Sequence, residues 1–221
     1  MNSWLSRFLP LACLFISMLL GMAAYRKKES SAPVKLMGLL AVWVFLYEAV
    51  GHYLGFHRKN NLWLYNIAFL VWVVGICYYY WLVLQRAFYR KMVLVLFVGY
   101  LLINIPLVFV YTFRSAAFNT PGVLISGVLV IGCSLLYLLE QNKSESTAPL
   151  SGSPLYYFCI GFIVYFSVII FMNSMYNFLL ENYISERLNR FIVYLPVLAS
   201  FMFNLFISLG FICCLRNTKY T

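Results

Sequence analysis

A chain of 221 residues in which 64% are hydrophobic and only 10% are charged cannot cover a water-facing surface. With a mean hydropathy of +0.87 it reads as an integral membrane protein, and a soluble enzyme or binding domain is excluded. The formal net charge of +10 then reads as membrane orientation, since no basic domain remains that could wrap a nucleic acid.

A helix needs about 20 apolar residues to cross a hydrocarbon core of roughly 30 Å, and seven segments qualify. They are too long and too evenly apolar for barrel strands. The predicted fold is therefore all-α: a polytopic transmembrane bundle of seven helices, forming a single domain over 1–221. The first helix covers about 4–24 and contains Pro10. Its basic cluster Arg26-Lys27-Lys28 follows the apolar stretch, the reverse of a secretory signal, so a retained helix is expected. The second, 36–55, carries Glu48 and His52. The third, 62–84, opens with Trp63, Tyr65 and Asn66 and closes on Tyr78-Tyr79-Tyr80-Trp81, the aromatic chemistry of membrane interfaces. The fourth, 92–111, holds Asn104 and Pro106. The fifth, 121–139, leads into the longest connection, 140–153, which is polar and rich in small residues. The sixth, 154–176, approaches its end with Asn173 and Asn177. The seventh, 191–215, contains Pro196 and carries Ser200, Asn204 and Ser208 on one stripe.

Basic residues sort between the two ends. Arg26, Lys27, Lys28, Lys35, Arg86, Arg90, Lys91, Lys143, Arg216 and Lys219 flank one side; Arg7, Arg58, Lys59, Arg114, Arg187 and Arg190 flank the other. Positive charge gathers on the cytoplasmic side of short loops, so the N-terminus is expected outside and the C-terminus in the cytoplasm. The bilayer itself is then the first partner, with anionic lipid headgroups at the basic cytoplasmic rim. The six cysteines lie within or beside apolar segments and form no C-x-x-C pair, so packing is the expected role, for vicinal Cys213 and Cys214 as well.

Chemistry is expected where polar groups enter the bundle. Glu48 and His52 are four residues apart and share a helix face. The stripe Gly38, Ala41, Phe45, Glu48, His52, Gly55 is mostly small or polar, so it is expected to face other helices. At a rise of about 1.5 Å per residue Glu48 lies about 18 Å across the core, and Asn104 comes out near the same depth. Asn66, Asn173 and Asn177 lie nearer the outer surface, and Asn204 belongs to the stripe that reaches the inner half. These residues suggest a polar cavity open to the outside and closed by apolar residues below, with Glu48, His52, Asn66, Asn104, Asn173, Asn177 and Asn204 as ligand-binding or proton-coupling candidates. An intramembrane carboxylate is by default a functional hypothesis. The alternative is a hydrogen-bonded Glu–His–Asn network that pins the bundle.

Other chemistries fit poorly. Two histidines cannot supply a zinc site, and Glu-x-x-x-His is not H-E-x-x-H. A retinal lysine, a G-x-S-x-G elbow and a glycine-rich phosphate loop are all missing. No catalytic residue, metal or cofactor is assigned.

Several stretches carry a resemblance: Asn60-Asn61-Leu62-Trp63-Leu64-Tyr65-Asn66, the carboxylate Glu48, Pro154-Leu155-Tyr156-Tyr157 with Gly161 and Tyr165-Phe166-Ser167, and Gly210-Phe211-Ile212-Cys213-Cys214-Leu215-Arg216. Together they resemble a group of small seven-helix membrane proteins of Bacteroidota, in which P-L-F-W is expected where this chain has P-L-Y-Y. The group brings no settled activity. The resemblance implies a bacterial inner membrane and a membrane part of a sensory system, with a separately encoded signalling protein as partner. The leading expectation is thus a sensory or regulatory membrane subunit. A small-molecule or proton-coupled transporter and a structural or assembly protein are the alternatives.

Overall fold

A computed structural model describes the backbone of residues 3–115, 117–143, 152–181 and 186–216, and the side chains of 9–115, 117–143, 152–175 and 194–216. Seven α-helices are present in these residues: α1 (Ser3–Arg26), α2 (Ala32–Phe56), α3 (Leu62–Val83), α4 (Ala87–Phe109), α5 (Thr120–Asn142), α6 (Pro154–Glu181) and α7 (Glu186–Arg216). Each contains a stretch long and apolar enough to span a membrane. In lipid a helix satisfies its own backbone groups, so continuous apolar runs of this length fold in this way.

The helices outrun their apolar cores. α4 starts five residues earlier than predicted and α7 likewise, while α5 continues to Asn142. Polar residues at an interface find water, so they continue a helix there. Glu140, expected in a loop, is helical and buried, with backbone N–H groups rather than water as its partners. Proline sits where a missing N–H costs little: Pro33 in the first turn of α2, Pro121 in that of α5, Pro154 as the first residue of α6. Pro106 lies inside α4, and the chain then widens into a π-helical turn, Val110–Arg114. Arg58 turns the chain after α2 from a left-handed conformation, with φ of 53°.

Alternating helices place two sets of loops at opposite ends. At one end the Lys27 Nζ donates to the carbonyl of Cys214, tying the end of α1 to the end of α7. We call this the Lys27 end. At the other, the His57 end, the Asn61 amide donates to the Gly51 carbonyl and the Asn66 amide to that of Ala117. Around the bundle α1, α2, α3, α5, α6 and α7 pack in succession and α7 closes back on α1, while α4 leans on α3 and α5 from outside. α1 and α2 approach backbone to backbone: a Cβ on Gly38 would stand 2.6 Å from the Gly21 carbonyl oxygen.

Aromatic rings fill the centre. Trp72 stacks on Phe166 at 5.4 Å and meets Tyr165 and Phe203 edge-on. Tyr79, Tyr80, Phe158, Phe162 and Phe211 are fully buried towards the Lys27 end. Lipid is as apolar as these rings, so packing density and interhelical hydrogen bonds, rather than water exclusion, hold the helices together. The buried face of α2 is Val34, Met37, Gly38, Leu40, Val44, Tyr47 and Gly51. It shares Gly38 with the predicted small and polar stripe, and Ala41 and Phe45 pack against the core, but towards the His57 end it turns by about one residue, which leaves Glu48 on the flank and His52 and Gly55 exposed.

Candidate functional site

The polar side chains fall into separate groups rather than one cavity. The first joins α3, α4 and α5 near the His57 end. Asn66 donates through its amide to Ala117 O at 2.9 Å and to the Thr112 hydroxyl at 3.3 Å, and its Oδ1 accepts the Asn119 N–H at 2.9 Å. Asn119 begins α5, accepting the Gly122 N–H at 3.0 Å as an N-cap, and donates to Asn104 Oδ1 at 2.9 Å. Asn104 donates to the Tyr100 hydroxyl at 2.5 Å, and Ser126 donates to the same oxygen at 3.0 Å. Asn66 and Asn104 therefore belong together, but through Asn119, which was not among the predicted residues. Asn119 is followed by Thr-Pro-Gly, the sequence signature of an N-cap.

A second group ties α1 to α7. The Ser17 hydroxyl lies 3.0 Å from both Asn204 Oδ1 and the Ser208 hydroxyl, and the Asn204 amide donates to Ser200 O at 2.8 Å. Beside it lies a mostly apolar cavity with about 20 Å³ of room for water centres, lined by residues that include Leu14, Met37, Trp72 and Phe203. That is room for about one water. A third group lies towards the Lys27 end, where the Tyr80 hydroxyl meets that of Ser134 at 2.5 Å and Cys159 donates to Ser134 O at 3.3 Å. Glu140 completes the set. Its two carboxylate oxygens accept the N–H groups of Gln85 at 3.0 Å and Arg86 at 2.6 Å, so one side chain closes the turn into α4. Polar groups thus reach the Lys27 half on α3, α5 and α6 as well as α7. Among the described residues Asn173 donates only to Ile169 O of its own helix, and the Asn177 side chain lies outside the described residues.

The Glu48 group differs from these. Tyr65 of α3 donates to Glu48 Oε2 at 3.2 Å, and His52 Nδ1 lies 3.7 Å from the same oxygen while bonding the Glu48 carbonyl at 2.9 Å. Gly51 makes this possible, because a Cβ there would collide with the Tyr65 hydroxyl. Asn61, just before α3, holds the Gly51 carbonyl and fixes the start of α3 against α2. The Tyr47 ring meets the Tyr65 ring edge-on at 6.1 Å. The Glu48 side chain is 25% exposed and that of His52 42%. Glu48 Oε1 accepts no hydrogen bond from the described residues and is not shut away; among buried side-chain polar atoms only the Tyr79 hydroxyl lacks a partner there. The remaining buried polar groups are occupied by one another, whereas this carboxylate is open on one side.

Among the described residues no group of three or more His, Cys, Asp or Glu side chains could hold a metal ion. The arrangement can accept hydrogen bonds and positive charge at Glu48, and donate from Tyr65 and His52. The seven apolar helices are those of a multi-pass membrane protein. No known family, no curated protein and no solved structure matches the chain.

Proposed function

We propose that the protein is the sensory or regulatory membrane subunit of a bacterial inner-membrane system, acting through a separate partner. The open Glu48 carboxylate, held by Tyr65 and flanked by His52 at the His57 end, is the observation that carries this reading. A ligand there draws on α2 and α3. α2 packs closely along α1, and α1 is tied to α7 at the Lys27 end through Lys27, while Ser30 bonds back to Ala24 O and contacts Cys214. A shift of α2 is thereby felt at the basic rim, where anionic lipids and the partner dock. The loops between the helices are too short to house an output domain, and in this reading the signal leaves through that partner. The resemblance to the Bacteroidota group supports the same assignment and the inner membrane.

Transport fits less well, because the Trp72, Tyr165, Phe166 and Phe203 rings stand across the bundle centre. A structural or assembly role has its own support in the satisfied groups around Asn119, Asn204 and Ser134. A photo-crosslinker placed at Lys28 or Lys35 in cells separates the readings. A sensory subunit gives a discrete protein adduct whose yield changes in Glu48→Gln. No adduct, or a yield indifferent to Glu48→Gln in protein expressed at the wild-type level, overturns the sensory reading.

A further inference from the structure

We propose that the Glu48 group is a binding site for a protonated amine carrying an apolar substituent. The inference rests on reading Glu48 as a ligand site and names the chemistry of the ligand. Two acidic side chains are described within the helices, and they have opposite fates. Glu140 is fully engaged, each oxygen holding a backbone N–H. Glu48 has Oε2 engaged and Oε1 open. Its only ion pair among the described residues is with His52, at 3.7 Å, and no Lys or Arg neutralises it. In a chain of net charge +10 the carboxylate is thus kept clear of the protein's own cations.

The surroundings select among cations. Calcium asks for about six to eight oxygen ligands and magnesium for a near-octahedral set. This group offers one carboxylate with a phenol and an imidazole, and no metal cluster is present among the described residues. An ammonium group is satisfied by far less: one or two acceptors and the face of an aromatic ring. Tyr65 bonds the carboxylate, and the Tyr47 ring meets the Tyr65 ring edge-on beside it. The Glu48 side chain is 25% exposed, so its open oxygen is reached from outside the bundle. The substituent meets an apolar surface, since α2 also exposes Phe56 at this helix end. Gly51 and Asn61 hold Tyr65 in place before any ligand arrives, which lowers the ordering cost of binding.

The ammonium could belong to a soluble amine or to an aminolipid headgroup, and two measurements distinguish them. In the first, the thermal unfolding of the purified full-length protein in detergent is followed against n-hexylamine and, as a neutral match, n-hexanol. In the second, unfolding is compared in nanodiscs of phosphatidylethanolamine and of phosphatidylglycerol with the same chains. Stabilisation by hexylamine but not hexanol, weakened roughly ten- to a hundred-fold in Glu48→Gln, assigns a soluble amine. Stabilisation by phosphatidylethanolamine that disappears in Glu48→Gln assigns a lipid source. If amine and alcohol act alike and the two lipids act alike, or if Glu48→Gln keeps the full effect, the proposal falls. Should Glu48→Gln not fold, Tyr65→Phe, which keeps the carboxylate, is expected to weaken amine binding, and the hexylamine–hexanol comparison on the unaltered protein still decides. Amine binding without a rim adduct sinks the sensory reading alone; an adduct without amine binding sinks this proposal alone.

Discussion

Asn119 shows what a single amide does inside a membrane bundle. Its Oδ1 caps α5 and its amide satisfies Asn104, while its backbone N–H reaches Asn66. Asn119→Ala removes the cap and leaves Asn104 Oδ1 buried without its donor, so unfolding in mixed micelles is expected to show a loss of about 1–3 kcal/mol. Asn173→Ala is the matched control, since among the described residues its amide bonds only its own helix; its effect is expected to stay within about 0.5 kcal/mol. Equal losses for the two would mean that the interhelical network contributes nothing beyond local bonding. Asn66 and Asn104 stand out in sequence because an amide within an apolar run is conspicuous. Asn119 does not, because it sits in a polar connection, and only the Thr-Pro-Gly that follows marks it as a cap. Glu48 and His52 were legible as a pair at helical spacing, but their partner Tyr65 was hidden among 18 tyrosines.

At the scale of elements, α4 is the helix outside the ring, held by α3, α5 and its two ends. Its start depends on Glu140, whose carboxylate accepts from Gln85 and Arg86, while Arg90 donates to Leu84 O and lies over the Trp81 ring at 5.6 Å. Glu140→Ala leaves two N–H groups without their acceptor and removes an anion from a helix N-terminus, and it is expected to cost about 2–3 kcal/mol. Trypsin should then cut at Arg86 or Arg90 faster than in the wild type; unchanged cleavage and unchanged unfolding would show that the cap is dispensable. That seven helices exist was plain from runs of apolar residues, because length alone makes a membrane span. Their faces were not. Lipid and protein interior are both apolar, so the contrast that marks the buried side of a soluble helix is missing. On α2 the small and polar stripe looked like the inner face. The inner face shares Gly38 with that stripe but otherwise follows a larger set ending in Tyr47 and Gly51.

The whole molecule has two unlike ends. At the Lys27 end charged and polar side chains are engaged with helix termini: Lys27 with the end of α7, Glu140 with the start of α4, Arg90 with the end of α3. At the His57 end the Glu48 group is partly exposed and the Asn66–Asn119 network closes the turn before α5. With seven helices, the described chain starts and finishes at opposite ends, and the charge count gives an expectation of which end is cytoplasmic. Topology reporters settle this directly. A reporter inserted after Lys143 is expected to read cytoplasmic and one after Lys59 periplasmic. The reverse pair would put the open carboxylate on the cytoplasmic side and the basic rim outside, so that any ligand would be an internal one and the partner an external one. Reporters that read the same side would be harder to reconcile, because three helices separate these positions and an odd number must cross.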